Sequence, residues 1–179
     1  MSNNRDQVLI EKCRKGDRRA LEELVQTYQR PVYNAAYRML GNADEAADVA
    51  QASFLKVFEN LERYNPNYKF FSWIYRIAIN ESIDRINKGK KQQVLDESQA
   101  SSEPGPERLA DSDDRSRRVQ AVLMGLPEDY RTVVVLRHFS DCSYREISEV
   151  LHIPEKTVKS RLYTARQQMK DMLEAEGVL

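Results

Sequence analysis

Along the first ninety positions, apolar residues recur at spacings of three and four, the period of helices that bury one face. Leu9, Ile10 and Cys13 fall on one side of a short helix that ends at Gly16. Asp17 can cap the next helix, whose apolar face runs Leu21, Leu24, Val25 and Tyr28. Pro31 lacks a backbone donor, so a kink or break is expected there. Val32, Ala36 and Leu40 continue the face until Gly41 stops it. Asn42 followed by Glu45 has capping-box spacing, and the helix after it buries Ala46, Val49, Ala50, Phe54, Val57, Phe58 and Leu61. Tyr64 to Lys69 reads as a polar, aromatic loop built on Asn65-Pro66-Asn67. A helix from about Phe71 to Lys88 follows, with Ile74, Ile77, Ala78 and Ile83 inward.

From Gln92 to Arg115 the periodicity disappears. The run Ser98 to Pro106 is too poor in apolar residues to offset the entropy of an ordered chain, so residues 92–115 are expected to be a flexible linker. A linker of about 24 residues averages roughly 25–30 Å end to end and stretches to about 80 Å. Order resumes with Val119, Val122, Leu123 and Leu126, and Pro127 opens a helix that carries Val133, Val134 and Leu136 to Phe139. The pattern predicts an all-α protein of two small helical domains, 1–91 and 116–179, joined by that linker.

Ser143-Tyr144-Arg145-Glu146 is a capping box ahead of a short helix with Ile147, Val150 and Leu151 inward. His152-Ile153-Pro154 makes a turn, and a second helix buries Val158, Leu162, Ala165, Met169 and Met172. Two short helices across a tight turn, the second one basic, form the helix-turn-helix pattern. The face opposite Val158 and Leu162 presents Lys156, Lys159, Ser160, Tyr163 and Thr164, suited to phosphates and base edges.

Net charge is zero, yet its distribution is uneven. Residues 154–170 hold five bases and one acid, residues 62–91 seven bases and three acids, and residues 94–115 seven acids and two arginines. Two basic segments therefore flank an acidic one, which restores the nucleic-acid reading that the average hides. Cys13 and Cys142 form no CxxC pair and no metal spacing, and are expected to be reduced, intracellular thiols. No metal or cofactor is expected. Met1 to Glu11 is polar and lacks a signal-peptide core, and no apolar run approaches membrane-spanning length, so a cytoplasmic protein without membrane insertion is expected.

Ser143-Tyr144-Arg145-Glu146-Ile147, then Thr157-Val158-Lys159-Ser160-Arg161-Leu162 and Ala165-Arg166, resembles the −35-binding region of extracytoplasmic-function (ECF) RNA polymerase sigma factors. Leu126-Pro127-Glu128-Asp129-Tyr130-Arg131 is similar to the helix that precedes it in that family. The other half matches as well: Asp44-Glu45-Ala46-Ala47-Asp48-Val49-Ala50-Gln51 resembles the helix that grips the polymerase clamp, and Phe71 to Asn80 the element that melts and reads the −10 region. Ala52, where many relatives carry Glu, and Thr164, where many carry Arg, depart from the pattern. His152 stands where Gly is common, and His tolerates the left-handed conformation such a turn needs.

The resemblance implies a bacterial sigma factor that binds core RNA polymerase through its clamp and flap regions, directs it to promoter DNA and helps to melt the −10 element. It assigns Asp48 and Gln51 to polymerase. It assigns Tyr64, Asn65, Asn67, Tyr68, Lys69, Phe70, Phe71, Trp73, Arg76, Asn80, Arg85 and Lys88 to −10 DNA, with Lys90 and Lys91 as further phosphate contacts. It assigns Tyr144, Glu155, Lys156, Thr157, Lys159, Ser160, Tyr163, Thr164 and Arg166 to the −35 element. An anti-sigma factor is an expected partner and stress response an expected setting. Two other readings compete. A stand-alone regulator of duplex DNA explains the helix-turn-helix but leaves the aromatic loop unused. An enzyme is disfavoured: Glu149-Val150-Leu151-His152 has the ExxH spacing of di-iron proteins, but such sites need two of these motifs and only two histidines exist.

Overall fold

A computed structural model describes residues 3–96 and 114–175. Among them are eight α-helices and no strand: α1 (Asn3–Arg14), α2 (Arg18–Leu40), α3 (Ala43–Glu59), α4 (Phe70–Asp96), α5 (Asp114–Gly125), α6 (Glu128–Val134), α7 (Tyr144–Leu151) and α8 (Glu155–Ala175). A 3-10 turn, Leu61–Arg63, follows α3, and a π-helical turn, Val135–Phe139, prolongs α6.

Local signals set most of the boundaries. The Asp17 carboxylate accepts from the Arg19 and Ala20 amides and starts α2. Gly41, at φ 73°, ends it with its N–H bonded to the Tyr37 carbonyl. Asn42 caps α3 through the Glu45 amide. Two expectations need correction. Helix α2 does not break at Pro31 but runs through it: Tyr28 and Val32 on either side are fully buried, and that burial outweighs a proline cost of about 3 kcal/mol. Helix α4 does not end near Lys88 but reaches Asp96, carried by the helix formers Lys90, Lys91, Gln92 and Gln93. The first and last residues of the expected linker, 92–96 and 114–115, are thus helical, and its interior, 97–113, lies outside the described residues.

Helix α2 is the central element. Leu24, Tyr28, Val32, Ala35 and Met39 pack with Phe54 and Val57 of α3 and with Phe70, Ile74 and Ala78 of α4. The buried Tyr28 hydroxyl donates to Asp6 of α1 at 2.6 Å, which fixes α1 across the bundle. Burial pushes the Tyr28 phenol well above its ordinary range, and the bond to Asp6 adds to this. The C-terminal half has its own packing, with Leu123, Val133, Leu136, Ile147, Val158 and Leu162 inward. The two halves also pack on each other through α2 with α5 and the π turn, and through α4 with α7, so the core is continuous.

Candidate nucleic-acid interface

The loop ahead of α4 is held from three sides. Within it, the Asn65 side chain accepts from the Asn67 amide at 3.0 Å and the Tyr68 amide donates to the Asn65 carbonyl. The Tyr64 hydroxyl donates to the Tyr68 carbonyl at 2.6 Å, and burial pushes that phenol up to about 12. Beneath it, Phe70 meets Tyr28 edge-on at 5.1 Å, and Trp73 lies 5.3 Å from Tyr64. From α1, the Arg14 guanidinium donates to the carbonyls of Leu61 and Tyr64, and Gln7 donates to the Pro66 carbonyl.

This scaffold opens a cleft of about 160 Å³ lined by Arg63, Tyr64, Asn65, Tyr68, Ser72, Trp73 and Arg76. Five of the residues expected at −10 DNA meet there: Tyr64, Asn65, Tyr68, Trp73 and Arg76. The others lie elsewhere. Phe70 is fully buried, so its role is to support the loop and not to form contact surface. Phe71 stacks on Tyr75 at 4.3 Å. Asn67 shapes the turn and Lys69 pairs with Glu146 at 2.7 Å. Asn80 is exposed one helical turn beyond Arg76 on the same face, and Lys88 is exposed two turns further. Arg85 pairs with Asp48 at 3.2 Å, so a residue assigned to DNA and one assigned to polymerase hold each other. Arg14, Gln7, Arg63 and Ser72 were missed. The pattern of Arg14 and Gln7 carried no signal, because their partners stand 47 to 59 positions away.

Gln51 lies on the wall of a second, apolar groove of about 570 Å³ between α2 and α3, with Val25, Tyr33, Phe54, Leu55 and Phe58. Leu55 is 56% exposed there, a large apolar side chain at the rim of the groove.

In the helix-turn-helix, the Ser143 side chain accepts from the Glu146 amide and the Glu146 carboxylate accepts from the Ser143 amide, a complete capping box. Burial pushes the Glu146 carboxyl up, but the Lys69 ammonium and the Ser143 bonds outweigh it and hold the group below its ordinary range. His152 closes α7 at φ 53°, and the Ser148 hydroxyl donates to the Ile153 carbonyl at 2.6 Å, which fixes the turn. Val158, Leu162 and Ala165 are buried, and Glu155, Lys156, Lys159, Ser160, Tyr163 and Arg166 are exposed along the outer side of α8. Thr157 and Thr164 are half-buried on its flanks. The Tyr144 ring has Arg137 at 5.3 Å and Lys159 at 5.6 Å, which orients both cations. Arg166 lies 3.4 Å from His138, whose pKa is lowered by burial and by Arg166 and Arg137.

Sigma-70 region 2 matches residues 24–92, the bundle that carries the loop, and Sigma-70 region 4 matches residues 116–169, which contain the helix-turn-helix. The ECF RNA polymerase sigma factor SigW of Bacillus subtilis is 38% identical over 176 residues, covering 92% of this chain and 94% of that one. The chain belongs to the ECF RNA polymerase sigma factors. As a member of that family it acts with RNA polymerase in promoter-specific initiation of transcription. The RNA polymerase sigma-H factor of Pseudomonas aeruginosa is 32% identical over 97% of this chain and 96% of its own length. Two solved structures share this fold. CnrH in complex with the cytosolic domain of CnrY aligns at TM-score 0.74, 24% identity, 96% of this chain and 98% of that one. The sigma factor RpoE in complex with the anti-sigma factor NepR from Bartonella quintana aligns at TM-score 0.72, 21% identity, 86% of this chain and 96% of that one. Among the described residues of this sigma factor, no helix is long and apolar enough to cross a membrane, and no group of three or more His, Cys, Asp or Glu could hold a metal.

Proposed function

We propose that the two halves of this sigma factor read DNA in two different states. Residues 1–91 take an unpaired base of the melted −10 element, and residues 116–179 read the −35 element as a duplex, with the acidic segment between them as linker. The observation that carries the reading is the cleft beside the loop. Aromatic Tyr64, Tyr68 and Trp73 stand around it, with the Arg76 guanidinium at its edge. An extruded base costs a few kcal/mol to unstack and recovers about 1–3 kcal/mol by stacking on an aromatic ring. Asn80, one turn on, is placed to hydrogen-bond a neighbouring base edge. Lys88, Lys90 and Lys91 continue the path as phosphate contacts. On α8, Lys156, Lys159, Ser160 and Tyr163 enter the major groove, with Tyr144, Glu155, Thr157, Thr164 and Arg166 around them.

Gln51 and the apolar groove beside it receive the polymerase clamp, with Asp48 released from Arg85 to join them, and the C-terminal half receives the flap. Of the structures that share this fold, CnrH was solved with the cytosolic domain of CnrY, and the sigma factor RpoE with the anti-sigma factor NepR. An anti-sigma factor is by that analogy a partner of this chain, and the bacterial cytoplasm its place of work. The test is permanganate footprinting of core polymerase with the full chain on promoters recovered by sequencing the DNA the holoenzyme binds. Reactive thymines in a −10 bubble, weakened by Trp73→Ala, are expected. Bound promoter DNA with no reactive thymine in any case would overturn the reading and favour a regulator of duplex DNA.

A further inference from the structure

Ser53, Ser72 and Ser82 are all buried in the N-terminal half, but their hydroxyls are not treated alike. Ser53 of α3 donates to the Val49 carbonyl at 2.7 Å, and Ser82 of α4 to the Ala78 carbonyl at 2.8 Å. The carbonyl four positions back is the common outlet for a hydroxyl inside a helix. Ser72 is 2% exposed, and its hydroxyl has no hydrogen-bond partner among the described residues. Four positions back from it stands Tyr68, which precedes α4, and the Tyr68 carbonyl accepts from the Tyr64 hydroxyl at 2.6 Å. The usual outlet is therefore closed to Ser72. A buried hydroxyl without a partner costs free energy, and a ligand that supplies the partner recovers it.

Ser72 lines the cleft of about 160 Å³ beside the loop. Other polar side chains of that lining are already engaged. The Asn65 side chain accepts from the Asn67 amide, and Arg76 donates to the Glu149 and Val150 carbonyls. Ser72 is the third residue of α4, in the first turn, where the helix end carries partial positive charge. That end and the guanidiniums of Arg63 and Arg76 favour an electron-rich group. The walls are the rings of Tyr64, Tyr68 and Trp73, whose faces stack on a base and repel an anion. A base edge suits both features and a phosphate only the first. The Tyr68 side chain, 48% exposed at the rim, can turn aside to let a base reach the serine.

We infer that the Ser72 hydroxyl reads the base held in the cleft, donating to a carbonyl oxygen or ring nitrogen on its edge. The inference rests on the proposed reading of the loop and adds the group that sets base preference there. A base that turns an amino group to the same point sets a donor against the positive end of α4 and binds less well. The hydroxyl thus lowers the stability of the free protein and supplies selectivity in the complex.

Ser72→Ala separates these two effects. The full chain, assembled with core polymerase, is titrated by fluorescence anisotropy with single strands of a mapped −10 element. Each position carries in turn the four bases and an abasic sugar. Ser72→Ala should lose about three- to tenfold in affinity for the strand with the preferred base at one position. It should match the parent on the strand that is abasic there. The thermal midpoint of the free chain should be no lower than the parent's, because no internal bond is lost. Ser82→Ala, the same change at a buried serine that is bonded, should leave base preference unchanged. A loss of the same size on base and abasic strands would make the hydroxyl a backbone contact and overturn the inference. So would a clear fall in the midpoint, the mark of an internal bond. Unchanged preference in Ser72→Ala, with binding weakened in Trp73→Ala, would overturn the role of Ser72 and leave the loop reading standing. Strand binding indifferent to both Trp73→Ala and every base would overturn the loop reading and the inference with it.

Discussion

The two regions of this sigma factor proposed to read DNA are built in opposite ways. The outer side of α8 is a helix surface: its shape follows from the helix, its inner side is buried by Val158, Leu162 and Ala165, and Lys156, Lys159, Ser160 and Tyr163 extend into water. The loop at 64–69 has no such regularity. Its conformation is imposed by Arg14 and Gln7 from α1 and by the buried rings of Phe70 and Tyr28. A surface that lies on a helix is rigid before it meets DNA. An irregular loop is pre-shaped by contacts from elsewhere, so substitutions far from the cleft reach it.

The largest expected difference concerns stability. Phe70→Ala leaves a cavity among Tyr28, Tyr64 and Trp73 and should cost about 3–5 kcal/mol, read as a lower thermal midpoint. Tyr163→Ala, at a side chain 67% exposed, should change stability by no more than about 0.5 kcal/mol. Equal losses would dissolve the contrast between a loop built on the core and a face built on the surface. Next comes Arg14→Ala, which removes the donors to the Leu61 and Tyr64 carbonyls. Part-buried and charge-assisted, these bonds should be worth about 1.5–3 kcal/mol, and strand binding should weaken while duplex binding stays. The opposite result, a variant that binds the strand as the parent does, would show that the loop keeps its shape unaided.

Smaller again is Lys159→Ala. If Lys159 contacts phosphate, the slope of log affinity against log salt on duplex DNA should drop by about 1. An unchanged slope with relaxed preference at one position would make it a base reader instead. The smallest effect belongs to Glu146. Its carboxyl is held below its ordinary value of 4.5, so its contribution to stability is complete above that pH and is lost as pH falls through the lower folded value. Because Lys69 is about half exposed, the pair itself should be worth only about 0.2–1 kcal/mol. The stability gap between parent and Glu146→Gln, measured by urea unfolding at neutral pH, should therefore close in acid. A gap that persists in acid would trace to the cap geometry and not to charge.

The difference in construction also decides what could be read from the chain alone. Asp17, Gly41, Asn42, Ser143 with Glu146, and His152 act on residues two to four positions away, and each boundary they predicted is present. The exposed side of α8 was legible for the same reason. The break that Pro31 could have made is absent because its cost is local while the burial of Tyr28 and Val32 that offsets it is tertiary. The Arg14 and Gln7 contacts to the loop, and the pairing of Asp48 with Arg85, join residues 37 to 59 positions apart and leave no periodic trace. The contacts of Lys69, Arg76 and Lys90 with α6 and α7 likewise cross the segment between the halves, over which the pattern carries no information.

The central claim, that one region reads a single strand and the other a duplex, is tested most directly by a crossed pair of variants. Trp73→Ala and Lys159→Ala are each assembled with core polymerase and titrated, by fluorescence anisotropy, with the single-stranded −10 element and with the −35 duplex. Trp73→Ala should lose about 1–3 kcal/mol on the strand and nothing on the duplex. Lys159→Ala should lose affinity on the duplex and nothing on the strand. Two variants that each weaken both ligands to the same extent would contradict the account, because the regions would then be reading one DNA together.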